Sequence, residues 1–277
     1  MKTKKVKSRK KQSRVVRPRD SRSIVHIVGD PANVEEYVRI CSAHGYNVSY
    51  HCPGSLEPLT TIELSAARNE SHVPANASFA LELTNVDLDQ KRRNLEMLDK
   101  VLPSTTAIVS SSITVTATEQ ASWIRHKVRL VGCSALPTLG DKPLIEIAPT
   151  VFSPGATVQV VQTFFRSIGK DIELVQDRIG MVFPRILCRV INEAAFALQE
   201  EIALPHDLDQ AMVVAAGFPV GPIAWAERIG ITQVYAVLKS LNRDLGEDRT
   251  RVAPLLTQMA LSGTWWQQAT AFHEERR

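Results

Sequence analysis

Between Ser23 and Val175, short β-rich runs alternate with amphipathic helical stripes, and after Asp177 only helical stripes remain. That order constrains the fold more than any other feature of the chain. Alternation predicts a mostly parallel sheet with helices on both faces, and an unbroken helical remainder predicts a separate all-helical domain. The predicted strands are Ser23–Val28, Asn47–Tyr50, Phe79–Leu83, Thr106–Ser110, Val128–Val131, Leu144–Ile147 and Ile172–Val175. Val34, Val38 and Ile40 or Cys41 mark a first helix that Gly45 stops. Leu88, Leu95, Leu98 and Val101 mark another, closed by Pro103. One helix lies between Ser110 and Val128, and Val158–Phe165 is a further one. Residues 51–76 have no period and are rich in Pro, Ser and Asn, which predicts a loop with one short helix. Beyond Asp177 the stripes are Ile186, Val190, Ala194, Leu198; Leu208, Ala211, Met212, Ala215; Ile231, Val234, Val237, Leu238, Leu241; and Leu255, Leu256, Met259, Leu261. The predicted division is therefore a tail, 1–22, a sheet domain, 23–176, and a helical domain, 177–277.

Charge sets the tail apart. Residues 1–22 hold eleven Lys or Arg and one acid, Asp20. The chain has 33 basic and 29 acidic side chains, so the rest carries 22 against 28. An acidic body thus bears a basic arm with almost nothing apolar to bury, which predicts disorder. The arm leaves contact with nucleic acid or an acidic surface open. It lacks the apolar core of a secretory signal, and no apolar run is long enough to span a membrane. Cys41, Cys52, Cys133 and Cys188 lie far apart without metal-ligand spacing, so no metal site is predicted. Reduced thiols and a cytoplasmic location are expected.

Three segments of the helical part carry a family resemblance. Asp177-Arg178-Ile179-Gly180-Met181-Val182-Phe183-Pro184-Arg185-Ile186-Leu187, Ile191-Asn192-Glu193-Ala194 and Gly217 to Gly230 resemble motifs of 3-hydroxyacyl-CoA dehydrogenases. The resemblance covers roughly residues 24–265. It implies a Rossmann-like sheet domain followed by a helical domain, NAD as cofactor, and a homodimer paired through the helical domain. His206-Asp207 reads as a helix N-cap region, and Gly221-Pro222 as a structural turn between helices.

The family's cofactor loop has the pattern G-x-G-x-x-G, in which the glycines let the backbone approach a pyrophosphate. The matching turn here is Gly29-Asp30-Pro31-Ala32-Asn33-Val34. Gly29 is retained, whereas Pro31 and Val34 replace the other two glycines. Cys52 stands where the ribose-binding acid is implied. Asp30, Glu35 and Glu36 place carboxylates in the first helical turn, where they suit the helix dipole and repel phosphate. Residues 51–76 are also shorter than the family's equivalent, a helical hairpin that contacts acyl-CoA and adenine. No cofactor is expected, with NAD implied only if the family activity is retained.

The resemblance also places the catalytic positions. Gly132 to Glu146 is an interval of fourteen residues, as in the family's segment from a Gly to the Glu that orients its catalytic His. Glu146 is thus retained, and it is expected to persist as a hydrogen-bonded structural carboxylate. Ser134 replaces the His, Ile113 the Ser and Pro184 the Asn. Three readings follow. The first is a degenerate member that binds a partner or an acyl-CoA-type ligand. The second is an active NAD-dependent oxidoreductase with an atypical site. The third is an interaction protein that uses its basic arm.

Overall fold

The computed structural model describes residues 23–54 and 67–263. The basic arm, residues 55–66 and Trp265-Trp266-Gln267 lie outside the described residues. Among those described, the chain is an α/β sheet followed by helices. The strands are β1 (Ile24–Gly29), β2 (Asn47–His51), β3 (Ala67–Asn69), β4 (Phe79–Leu83), β5 (Ala107–Ser111), β6 (Leu130–Cys133), β7 (Leu144–Pro149) and β8 (Asp171–Leu174). They form one sheet in the order β3-β2-β1-β4-β5-β6-β7-β8, parallel except where β7 runs antiparallel to β6. Helices α1 (Pro31–Ala43), α2 (Leu88–Val101), α3 (Ala117–Ser122) and α4 (Gly155–Ser167) connect the strands.

Strand alternation divides the sheet's side chains between two cores. Val25, Ile27, Leu81 and Val109 meet Val34, Val38, Phe164 and Phe165 on the α1 and α4 side. Val28, Ala80 and Ile108 meet Leu95, Leu98 and Ala121 on the α2 and α3 side. The helical remainder comprises α5 (Phe183–Gln199), α6 (Pro205–Ala216), α7 (Pro222–Ile229), α8 (Ile231–Leu245) and α9 (Pro254–Ser262). No helix among the described residues is long and apolar enough to cross a membrane.

Several expectations need correction. Strand β3 lies within the segment expected to be loop and pairs parallel to β2. Val128 belongs to a 3-10 turn, Lys127–Arg129, rather than to a strand. On α5 Ala194 and Leu198 are buried as expected, together with Leu187, Cys188, Ile191 and Ala195, whereas Ile186 is exposed and Val190 only half-buried. The stripe assigned to α6 is not a core stripe, because that helix has no buried residue. On α9, Leu256 and Met259 are buried but Leu261 is exposed. His206 sits inside the first turn of α6, whose N-cap is Leu204.

The motif residues of the helical part act as joints. Asp177 accepts the N–H groups of Ala117 and Thr118, both at 2.7 Å, and so holds the start of α3. Asn192 clamps the entry to α9 through Arg251 O and Ala253 N, each at 2.9 Å. Asp209 of α6 accepts the Ile223 and Ala224 N–H groups at 2.8 and 2.9 Å, capping α7 from outside. A Cβ at Gly221 would lie 2.2 Å from the Asp209 carboxyl carbon, so the turn admits only glycine.

All four cysteines are free and buried. Burial pushes the Cys41, Cys133 and Cys188 thiols up to about 12.

His26 is buried on the α2 and α3 side, with Nδ1 3.0 Å from Ser49 Oγ; Ser49 in turn donates to Glu70 at 3.1 Å. Burial first, then His51 and His72, lowers its pKa to about 4. The unfolded chain therefore takes up this proton first as pH falls. Stability should decline from about pH 6.5 downward, by about 2 kcal/mol at pH 5 from this residue. Asp30 and Glu36, whose pKa values burial raises, act with the opposite sign. Urea titrations of wild type and His26→Gln across that window isolate the histidine: the difference between them should track pH, and a constant difference would refute the assignment.

Candidate functional site

The sheet reverses its winding between β1 and β4, and ligands of such sheets lie beyond the strand ends at that point. Here the crevice is crossed by protein side chains. Asp30, between β1 and α1, accepts the Asn85 N–H at 2.8 Å, the Val86 N–H at 3.3 Å and Gln233 Nε2 at 2.7 Å. Asn85 Nδ2 donates to Gln233 Oε1 at 3.0 Å and to Ala135 O at 2.9 Å. Ser111 Oγ donates to Asn85 Oδ1 at 2.6 Å. Asn85, Ser111 and Gln233 are all buried. Gln233 comes from α8, so one network joins the ends of four strands to the helical domain. Burial, more than any partner, acts to raise the Asp30 pKa.

The expectation that Glu35 and Glu36 stand in the first turn of α1 is corrected: only Asp30, at the N-cap, lies at that helix end. Asp30 makes no side-chain cap bond to α1. Glu36 reaches the loop after β6, where it accepts the N–H groups of Thr138 and, at 2.9 Å, Gly140. That bond holds Thr138 at a φ of +75°, a left-handed conformation a β-branched residue rarely adopts. Trp225 Nε1 adds a hydrogen bond to the Thr138 hydroxyl at 3.2 Å.

The retained Gly29 has a structural reason of its own. Its φ is +148°, and a Cβ would lie 2.5 Å from the Leu83 carbonyl carbon of β4. Pro31 opens α1, while Val34 and Cys52 are buried in the same core cluster. Burial, then Asp30 and Glu35, pushes the Cys52 thiol up to about 11.

Ser134 and Glu146 face each other across the β6–β7 pair. Ser134 Oγ accepts the Glu146 backbone N–H at 3.1 Å. The Glu146 carboxylate turns elsewhere: its two oxygens accept the N–H groups of Val182 and Phe183, each at 2.8 Å. It caps the start of α5, where a negative charge is favoured. Ile113 is wholly buried in the helical-domain core, and its carbonyl accepts the Gly180 N–H at 2.9 Å. Pro184 is buried in the first turn of α5. The fold thus keeps Ser134 and Glu146 together and commits Ile113 and Pro184 to packing. A cavity of about 240 Å³ opens beside the first pair, lined also by Tyr37, Leu139, Ile145 and Phe183.

Residues 180–271 match the family model of the 3-hydroxyacyl-CoA dehydrogenase C-terminal domain. A probable 3-hydroxybutyryl-CoA dehydrogenase of Bacillus subtilis is 26% identical over 188 residues, covering 68% of this chain and 66% of the relative. A 3-hydroxybutyryl-CoA dehydrogenase of Clostridioides difficile is 26% identical over 197 residues, covering 68% and 70%. These matches support the 3-hydroxyacyl-CoA dehydrogenase family for this chain, most directly for residues 180–271. The fold agrees: the crystal structure of (S)-3-hydroxybutyryl-CoA dehydrogenase from Ralstonia eutropha superposes with a TM-score of 0.72 at 22% identity, over 90% of this chain and 96% of that one.

The resemblance implies NAD, so the crevice can be tested for fit. A dinucleotide needs backbone N–H donors and close approach at the first turn. The Asn85 and Val86 N–H groups already hold the Asp30 carboxylate, which would repel a pyrophosphate. Pro31 has no N–H to offer, and Gln233 spans the gap from α8. These features oppose a dinucleotide at the first turn. Asn85, Gln233 and Tyr37 were not picked out in the sequence. The available signal was a polar residue directly after an apolar strand, or in phase with a helix's buried side.

Proposed function

We propose that this chain is a member of the 3-hydroxyacyl-CoA dehydrogenase family that has given up hydride transfer and acts by binding. One observation carries the reading. Ser134 stands at the position of the general base, and the carboxylate that would orient a base is spent on capping α5. A serine hydroxyl cannot take a proton near neutral pH, and loss of a general base alone costs roughly 10² to 10⁴ in rate. The crossed crevice supports the same reading independently, because repairing the base would not admit NAD.

Calorimetry with NAD should detect no binding, and absorbance at the NADH band with acetoacetyl-CoA should detect no turnover. A rate above about 1 s⁻¹, the lower end of ordinary enzyme rates, would overturn the reading.

The partner we propose is a second copy, met through the helical domain. Ile202, Leu204, Val213 and Val214 are exposed on and before α6. Exposed apolar groups concentrated on one helix that has no fully buried residue mark an interface. Sedimentation should give a dimer at micromolar concentration, and Val214→Asp should weaken it at least about tenfold by burying an unpaired charge. A monomeric wild type would end the proposal.

A further inference from the structure

Arg189, in the second turn of α5, is half-buried, and one edge of its guanidinium is unmatched. Its Nε and Nη2 atoms are shielded from solvent and have no hydrogen-bond partner among the described residues. These two nitrogens carry the parallel N–H bonds that meet an oxyanion side-on, two donors to two oxygens. Buried donors of a charged group ordinarily find an acceptor. Leaving both unmatched carries a desolvation cost that an arriving oxyanion removes.

The charges around it favour an anion. Arg185 lies one turn earlier on the same face of α5, and Arg178 precedes the helix. The three act on one another: burial first, then Arg189, lowers the Arg185 pKa, with Asp244 opposing the shift and Arg178 adding to it. The Arg185 edge is already used, since Nε and Nη2 both donate to Ile179 O, at 3.1 and 2.5 Å. Arg178 gives one N–H to Asp177 O at 3.1 Å and is otherwise exposed. Glu247, beyond the end of α8, is close enough to feel Arg189 but is paired with Arg249. Among the described residues Asp244 is then set against three guanidinium groups. The cluster lies apart from the crevice, for Gln233 is eleven residues before Asp244 on α8, roughly 16 Å along the helix.

We propose that Arg189, with Arg185 and Arg178, binds a phosphate group, as inorganic phosphate or a phosphate monoester, on the α5 face beside the end of α8. The Arg189 edge takes two of its oxygens, the long half-buried side chain turning its guanidinium outward to meet them. A carboxylate has only two oxygens and leaves the Arg178 donors idle, whereas a phosphate has oxygens for both. The proposal goes beyond the reading of the crevice and stands whether or not hydride transfer is retained.

Calorimetric titration of the full chain at low ionic strength tests it, with inorganic phosphate, glycerol 3-phosphate and acetate as probes. At least one phosphate probe should bind with a Kd on the order of 1 mM, and acetate at least about tenfold more weakly. The tighter of the two phosphate probes tells a free anion from an ester. Arg189→Lys keeps the charge without the two-donor edge and should weaken phosphate binding roughly 3- to 10-fold. Arg178→Gln should weaken it about threefold, the worth of an exposed charge. Arg189→Met should weaken it at least about tenfold. That variant keeps the aliphatic stem and deletes the unmatched donors, so in phosphate-free buffer it should melt no lower than wild type. A guanidinium built into the fold gives the opposite result. Undetectable binding of both phosphate probes, acetate binding as tight as phosphate, unchanged affinity in Arg189→Met, or a phosphate-free midpoint several degrees lower in that variant would each overturn the proposal.

Discussion

Lys91→Met is expected to lower the unfolding free energy by about 3–5 kcal/mol, the cost of leaving one member of a buried ion pair alone. Lys91 and Glu82 are both fully buried and in direct contact. Every polar atom around them is matched. The Lys91 ammonium also donates to Thr84 O at 2.7 Å. Glu82 accepts from Ser110 Oγ at 2.8 Å, from the Thr84 N–H at 3.1 Å and from Asn94 Nδ2 at 3.3 Å. Met fills the space of the aliphatic stem but strands the carboxylate. The pair ties α2 to the ends of β4 and β5, the strands from which Asn85 and Ser111 reach the crevice. Guanidinium denaturation measures the loss, and Glu82→Leu/Lys91→Met should recover part of it, since no charge then stays unpaired. A single-variant loss below about 1 kcal/mol, the range of an exposed pair, would show that the pair is solvated.

The sheet and most helices were legible because apolar periodicity is a local signal. Leu88, Leu95 and Leu98 mark α2 whatever the rest of the chain does. The phase of α5 was legible only in part: Ala194 and Leu198 are buried as read, but Ile186-Leu187-Cys188 and Val190-Ile191 are apolar on adjacent stripes, and packing buries Leu187, Cys188 and Ile191. Helix α6 misled for the opposite reason: its apolar residues follow a helical period, yet none is fully buried and Leu208 only partly packs against a small cluster of Ala194, Leu198 and Ile223. Strand β3 has three residues, Ala67 to Asn69, too few for an alternation to register.

The candidate site divides along the same line. Substitutions at Pro31, Val34, Cys52, Ile113, Ser134 and Pro184 could be read by alignment against motifs. What now fills the crevice could not, because Asp30 and Gln233 are 203 residues apart. The ion pair had left a trace in the sequence. Lys91 falls in phase with Leu88, Leu95 and Leu98, and Glu82 interrupts an otherwise apolar strand. A charge on a buried stripe announces a buried partner.

Gln233→Ala is expected to cost about 3 kcal/mol, most of it from a lost hydrogen bond to a charged group, and still to confer no affinity for NAD. Gln233 gives Asp30 its 2.7 Å bond and accepts the Asn85 amide at 3.0 Å, so its removal leaves a buried carboxylate and a buried amide each short of a partner. The lost bonds are those that run from the crevice to α8, so the sheet and the helical domain should unfold less cooperatively. The Asn85 and Val86 N–H groups keep Asp30 in place, and that carboxylate continues to oppose a pyrophosphate. Gln233→Glu sharpens the test. Two carboxylates would then face each other, a geometry that favours one shared proton and raises a pKa. That variant should be the less stable of the two near neutral pH and should regain stability as pH falls toward the carboxylate range, because the folded pair binds the proton more tightly than the unfolded chain. Urea denaturation at several pH values, with NAD titrated in parallel, reads both effects. If Gln233→Ala bound NAD at micromolar concentration, the glutamine alone would be what closes the crevice, and the first turn would have to be regarded as competent for a dinucleotide despite Pro31 and Val34.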